Sequence, residues 1–189
     1  MDTINLPCMP VTNGVPLSHY DATFNNFDFS SCPGLKEWTL KFLDSEKKFW
    51  LYLWGPTGRG KTHYSVALHR AIVARIGWES AGSSTFVQWN ELVSEIRSSF
   101  GDHTTDDLLA AYLECDILVI DDLSGGLADF QIRTLEQIVR QRHAAGRRLV
   151  ITSNEPYESL LSRFGAHEVS RIKEVCMAVE FGGTDRRNR

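Results

Sequence analysis

Gly55-Pro56-Thr57-Gly58-Arg59-Gly60-Lys61-Thr62 matches G-x-x-x-x-G-K-[ST] at every fixed position. It follows the apolar run at 49–54 and precedes a helical pattern, which is the strand, loop and helix order that a phosphate-binding loop requires. Backbone amides must turn inward around an anion, and side chains at Gly55, Gly58 and Gly60 would obstruct that turn. The helix starting near Gly60 adds its positive end. In this frame Lys61 reaches the β- and γ-phosphates as a point charge, and the Thr62 hydroxyl completes the shell of a magnesium ion.

A magnesium ion on those phosphates needs a second anchor, and a carboxylate at a neighbouring strand end supplies one. Asp116-Ile117-Leu118-Val119-Ile120-Asp121-Asp122 is the clearest buried strand in the chain and ends in two carboxylates. Asp121 is the expected metal ligand. Asp122, leaving the strand end in another direction, can orient or deprotonate an attacking water. The other reading is that the pair caps the strand. A second apolar strand, 148–154, ends in Thr152, Ser153 and Asn154, whose last amide is placed to bond the γ-phosphate or that water. Asn154 is otherwise a turn residue.

Alternating elements must carry these residues. A helix is expected over 35–48, with Leu35, Trp38, Thr39, Phe42 and Leu43 on its apolar face. A strand over 49–54, a helix from the loop to 76 closed by Gly77, and a strand over 85–88 follow. Helices are expected over 90–100 and 105–114, with Asn90 and Thr104 or Thr105 as N-caps. After the 116–122 strand come a helix over 128–145 ended by Gly146, the 148–154 strand, short helices over 157–164 and 167–176, and a fifth strand over 177–181. Strands alternating with helices predict a mostly parallel five-stranded sheet in an α/β fold, with ligands at the carboxyl ends of its strands. Residues 1–34 hold Pro7, Pro10, Pro16 and Pro33 with little periodicity, and read as an extended arm packed on a single core of 35–189. Phe24, Phe27 and Phe29 in that arm either cap the core or wall a bound base.

Composition sets outer limits. The chain has 189 residues, 42% hydrophobic and 23% charged, which is ordinary for one soluble domain. No apolar stretch is long enough for a membrane span, and the start lacks a secretory signal, so a cytoplasmic protein is expected. Cys8, Cys32, Cys115 and Cys176 form no C-x-x-C pair and are expected to be reduced. The six histidines lack ligand spacing, leaving only the nucleotide's magnesium as an expected metal. A net charge of −4 argues against a general DNA-coating role. Nucleic-acid contact would be local, at Arg140, Arg142, His143, Arg147 and Arg148 or at Arg186, Arg187 and Arg189. The first cluster reads equally as a solvated helix end. Trp38, Trp50 and Trp54 read as packing residues rather than base-stacking platforms, with Trp78 and Trp89 unassigned.

Taken together, these residues resemble the AAA+ ATPases of the DnaC/DnaI helicase-loader and IstB transposition-helper group. The likeness covers most of the chain: Asp21-Ala22-Thr23-Phe24-Asn25-Asn26-Phe27, the loop from Gly55 to His63, 117–123, and Ile151-Thr152-Ser153-Asn154. The resemblance implies a P-loop three-layer sandwich and ATP or ADP with Mg2+ as cofactors. It further implies nucleotide contact by Gly55, Pro56, Thr57, Gly58, Arg59, Gly60, Lys61, Thr62 and His63, and hydrolysis at subunit junctions of a homo-oligomer. Lys61 and Thr62 match the Walker A pair, Asp121 and Asp122 match Walker B, and Asn154 matches sensor 1. Ser170-Arg171-Ile172 resembles the box that places an arginine finger, with Arg163 as runner-up. Arg171 would then reach the γ-phosphate of a neighbouring subunit; the other reading is a surface helix residue paired with Glu168 or Glu174. Arg186 or Arg187 looks like the arginine that closes the loader core.

Two departures shape the expectation. Walker B often ends in Asp-Glu, and Asp122 is one methylene shorter, so slow hydrolysis without partner or DNA is expected. The fifth strand lies close to Arg189, so no C-terminal helical lid is expected, nor is the loaders' usual separate N-terminal domain. The leading expectation is an ATP-dependent DNA replication factor resembling a replicative helicase loader, with the helicase and single-stranded DNA as partners. The alternatives are an IstB-like transposition helper and a nucleotide-gated binding module with negligible turnover.

Overall fold

The computed structural model describes residues 14–44, 49–76, 84–99, 105–123 and 125–186. Five strands, β1 (Trp50–Trp54), β2 (Ser84–Gln88), β3 (Ile117–Leu123), β4 (Arg148–Ser153) and β5 (Cys176–Glu180), form one sheet in the order β2-β3-β4-β1-β5. Every neighbouring pair is parallel, so all five carboxyl ends lie on one edge. The sequence expectation of a mostly parallel sheet is met with no antiparallel strand among the described residues. Parallel strands covered on both faces need apolar side chains in both directions, which is why the runs at 50–54, 117–120 and 149–151 are nearly continuous.

Successive strand residues alternate between two cores. Leu51, Leu53, Phe86, Ile117, Val119 and Val150 pack with α1 (Leu35–Asp44) and α2 (Lys61–Ile76). Trp50, Tyr52, Val87, Leu118, Ile120, Leu149 and Ile151 pack on the opposite face. That second layer holds α3 (Trp89–Ser99), α4 (Thr105–Glu114), α5 (Asp129–Ala144), α6 (Tyr157–Leu161) and α7 (Ala166–Val175). Together these make the three-layer sandwich.

The described part of the arm, 14–34, is fastened to the first layer. Phe24 and Phe27 are buried against Tyr64, ring centroids 5.5 and 5.4 Å away, with Phe181 6.4 Å from Phe27, so these phenylalanines cap the core and do not wall a base. The Tyr64 hydroxyl shares a 2.8 Å hydrogen bond with Thr39, tying α1 to α2 beneath the arm.

Several local expectations are corrected. Trp38 is 42% exposed, with the Lys41 ammonium 4.5 Å from its ring centroid, so it is not a packing residue. Helical spacing places it beside the apolar stripe, but Leu35, Thr39, Phe42 and Leu43 already fill that stripe. Asn90 is no N-cap, because α3 begins at Trp89 directly after β2. Trp89 itself is fully buried. The basic cluster is neither a solvated face nor an open patch at its centre. Arg142 is fully buried and donates to the carbonyls of Tyr112 (2.9 Å), Leu113 (3.2 Å), Asp116 (3.2 Å) and Arg148, locking α4 and the starts of β3 and β4 to α5. Cys8, Gly77, Trp78, Thr104, Arg187 and Arg189 lie outside the described residues. Among the described residues no helix is long and apolar enough to cross a membrane.

Candidate functional site

The carboxyl ends of β1, β3 and β4 open into a cleft of about 790 Å³. Its floor is the loop at 55–60 and the first turn of α2. Gly55 and Gly58 have φ of +141° and +79°, a region that favours glycine. A Cβ at Gly55 would lie 2.5 Å from the Phe181 carbonyl oxygen, and one at Gly58 would overlap the Asp185 carboxylate at 2.2 Å. The loop is therefore wedged against the segment after β5, where the Arg186 N–H donates to the Gly58 carbonyl at 2.9 Å.

Lys61 is buried, and its ammonium donates to the Gly55 carbonyl (2.7 Å), the Pro56 carbonyl (3.0 Å) and Asn154 Oδ1 (2.9 Å). Asn154 also turns its Nδ2 toward Asp122 Oδ1 at 3.4 Å. One amide thus links the loop lysine on its oxygen side and approaches the outer carboxylate on its nitrogen side.

Asp121 and Asp122 diverge because of a bulge. The β3–β4 pairing slips between Ile120 and Leu123, and Asp122 adopts φ +55°. A bulge re-aims side chains, and Asp tolerates the left-handed region better than most residues. Asp121 is 3% exposed and accepts from the Thr62 hydroxyl (3.1 Å) and the Thr152 hydroxyl (2.7 Å). Asp122 projects into solvent. Burial pushes the Asp121 carboxyl above the ordinary range; the Thr152 and Thr62 hydrogen bonds oppose this, and the Asp122 charge adds to it. A carboxylate with a raised pKa beside a hydroxyl, both hard oxygen donors, suits a divalent cation that would restore its charge.

Thr152 was without a role in the sequence reading. Its Oγ1 accepts from the Asp122 N–H at 2.9 Å while donating to Asp121, so it stitches the bulge. The available signal was a hydroxyl two residues before Asn154 at a strand end. The arm also supplies cleft wall, through Pro16, Ser18 and His19 rather than through its phenylalanines. His63 lines the cleft, but its Nε2 is engaged with Asn26 Oδ1 (2.9 Å) and the Thr23 carbonyl (3.2 Å), fastening the arm to α2. Burial lowers its pKa, favouring the neutral ring.

Arg186 lines the cleft, its Nη2 donating to the Asp28 carbonyl at 2.8 Å and its guanidinium lying 4.9 Å from the Phe27 ring centroid. Arg171 and Arg163 do not line it. Arg171 pairs with Glu168 at 3.1 Å on α7, and Arg163 pairs with Glu155, the residue after Asn154. Within one chain the structure therefore gathers Lys61, Thr62, Asp121, Asp122 and Asn154, and leaves Arg171 outside.

The family model described as IstB-like ATP binding protein matches residues 12–187. A Mycobacterium tuberculosis protein described as an ATP-binding protein in an insertion sequence is 28% identical over 140 residues, 70% of this chain and 53% of its own length. The chain spans about half the length of the curated relatives from insertion sequences that it matches. The crystal structure of the DnaC helicase loader superposes with a TM-score of 0.75 at 24% identity, covering 88% of this chain and all of that one (100%). That of DnaI gives 0.73 at 22% identity, covering 91% of this chain and 94% of that one. At these identities the two structures bear on the fold, which is that of the AAA+ P-loop proteins.

Proposed function

The chain belongs to the family of IstB-like ATP binding proteins, and from that premise we propose that it binds ATP with Mg2+ in this cleft and hydrolyses it at the junction between subunits. The observation that carries the reading is the linked set Lys61, Asn154 and Asp122 beside Thr62, Asp121 and Thr152. Phosphate oxygens would replace part of the carbonyl and amide cage now around Lys61. Thr62 and Asp121 would hold Mg2+, which neutralises charge on the phosphates. Asp122, exposed to solvent beside the Asn154 amide, orients or deprotonates water, and Asn154 fixes its position from behind. Arg171 is supplied to the cleft of a neighbouring copy in a homo-oligomer, with Arg163 as the second choice.

Such a module acts on DNA-bound machinery in the cytoplasm. As a replication factor resembling a helicase loader, it would have a replicative helicase and single-stranded DNA as partners; the overlay on DnaC and DnaI supports this. As a transposition helper, it would serve a transposase; the family match and the insertion-sequence relative support this. Pull-down against a purified replicative helicase and a purified transposase separates the two. Asp122 in place of a longer Glu supports slow turnover, at the extreme a nucleotide-gated binding module.

The deciding experiment is steady-state ATP hydrolysis over a protein concentration series, with and without single-stranded DNA, beside Lys61→Ala. Turnover in the wild type and its loss in the variant support the reading. Equal turnover in both removes it, and tight ATP binding with no turnover under any condition leaves the binding module.

A further inference from the structure

Arg59 occupies the phosphate loop between two glycines with φ of +79° and +92°, and it lines the cleft. Its Nε and Nη1 are shielded from solvent and have no hydrogen-bond partner among the described residues. None of the ion pairs among the described residues includes it. Shielded guanidinium N–H groups are costly unless an acceptor meets them, because these donors have left water without replacement.

The surroundings supply more positive charge, and the one carboxylate against the loop, that of Asp185 beside Gly58, forms no ion pair with Arg59 among the described residues. A Cβ at Gly60 would lie 3.3 Å from Arg186 Nη1, so a second guanidinium approaches the loop one residue away, and Lys61 follows directly. The two acids of the cleft are engaged elsewhere: Asp121 with Thr62 and Thr152, and Asp122 beside Asn154. Two unlike cations, one held to Asp28 and Phe27 and one without an acceptor, thus flank the same glycine. An anion between loop and cleft satisfies the second.

We propose that the Arg59 side chain is itself a phosphate ligand, donating from Nε and Nη1 to oxygens of the nucleotide's phosphate chain in addition to the loop's backbone amides. The inference rests on the nucleotide reading above and adds to it a side-chain contact that the loop motif does not require, since the motif leaves this position free. Charge-assisted donors of this kind act on phosphate regardless of the base, so Arg59 strengthens ADP and ATP binding and contributes nothing to adenosine binding.

The test is calorimetric titration of ADP with Mg2+, and of adenosine, into wild type, Arg59→Leu and Arg59→Lys, with thermal melts of the ligand-free proteins. Arg59→Leu is expected to weaken ADP by about 10- to 100-fold, the range for a lost hydrogen bond to a charged group. Arg59→Lys recovers part of that, and adenosine binding does not change. The salt dependence of ADP binding becomes shallower in Arg59→Leu. The ligand-free Arg59→Leu protein melts no lower than wild type, because no partner is lost; a clearly lower melt would reveal an acceptor within the chain and overturn the proposal. Equal ADP affinity in wild type and both variants overturns it while leaving the nucleotide reading intact. Failure of the wild type to bind either ADP or ATP overturns both.

Discussion

The Lys61 ammonium and the Asn154 amide oxygen lie 2.9 Å apart, joining the phosphate loop to the end of β4 before any ligand is present. The same amide faces Asp122 with its nitrogen. Asn154→Ala should therefore lower ATP turnover by on the order of 100-fold, the scale of one lost positioning donor, with nucleotide affinity little changed. Lys61→Ala should lose binding as well. Parallel affinity and turnover measurements on the two variants check the split; equal loss of affinity in both would show that Asn154 serves binding instead.

Asp121 is an acid that the fold buries. Its pKa is raised by burial, so the folded state binds its proton more tightly than the unfolded chain does, and at neutral pH the ionised carboxylate works against folding. Asp121→Asn keeps the shape, an oxygen that accepts from Thr152 and an amide that can donate to the Thr62 hydroxyl in place of the second oxygen, while removing the charge. The ligand-free variant should be more stable than wild type by about 1 kcal/mol, a gain that commonly accompanies loss of function at a strained site. Urea unfolding near neutral pH measures the gain, and hydrolysis assays the expected loss of activity.

Much of the site was legible because the strands that carry it are unusually plain. Four branched residues, Ile117 to Ile120, can hardly be anything but a covered strand, and the loop motif fixes which end of it faces the ligand. The placement of Asp121 and Asp122 at that edge follows from this geometry, whereas Asn154 alone reads as a turn residue and gains a site role only from its place in the series. Thr152 was not legible, because its role depends on the slip in β3–β4 pairing, which a single strand's sequence does not encode. Nor was the burial of Arg142. A cluster of arginines near a helix end looks the same whether one of them points out or turns in to collect carbonyls from three other elements.

Arg142 should accordingly behave as a core residue. Its guanidinium serves four carbonyl oxygens, those of Tyr112, Leu113, Asp116 and Arg148, and a nonpolar side chain removes that shared donor. The Asp116 carbonyl then keeps only the Arg148 N–H at 3.0 Å, and those of Tyr112 and Leu113 only weaker 3.4 Å contacts. Arg142→Met is expected to cost about 3 kcal/mol. Arg140→Ala, at an exposed position on the same helix, should cost little. Denaturant midpoints for the two variants test the distinction; equal, small losses would return Arg142 to the surface.

His69 sets a pH limit on folding. It is 1% exposed, and burial lowers its pKa from 6.5 to about 4. The unfolded chain then takes up the proton first as pH falls. The contribution is complete above pH 6.5 and is lost between about 6.5 and 4. At about 1.4 kcal/mol per unit the total is roughly 3 kcal/mol. Stability of wild type measured across this range should fall more steeply than that of His69→Gln, and parallel curves would show that His69 is not the group responsible.

Arg171 is where one chain ceases to explain the site. It stands outside the cleft, its side chain 35% exposed and paired three residues back with Glu168, a surface pair worth little that a better anion can displace. If it completes the cleft of a neighbour, Arg171→Ala should lose on the order of 1000-fold of the turnover seen in assemblies while each subunit still binds nucleotide. Wild-type turnover should rise more than linearly with protein concentration. The sharper check is mixing. Asp122→Asn subunits keep Arg171 but lack the water-orienting carboxylate, whereas Arg171→Ala subunits keep an intact cleft but lack the donor. Each alone should be nearly inactive, and their mixture should regain turnover at junctions where the intact cleft of one meets the arginine of the other. A mixture no more active than its components would mean that Arg171 acts within its own chain or not at all, and attention would pass to Arg163.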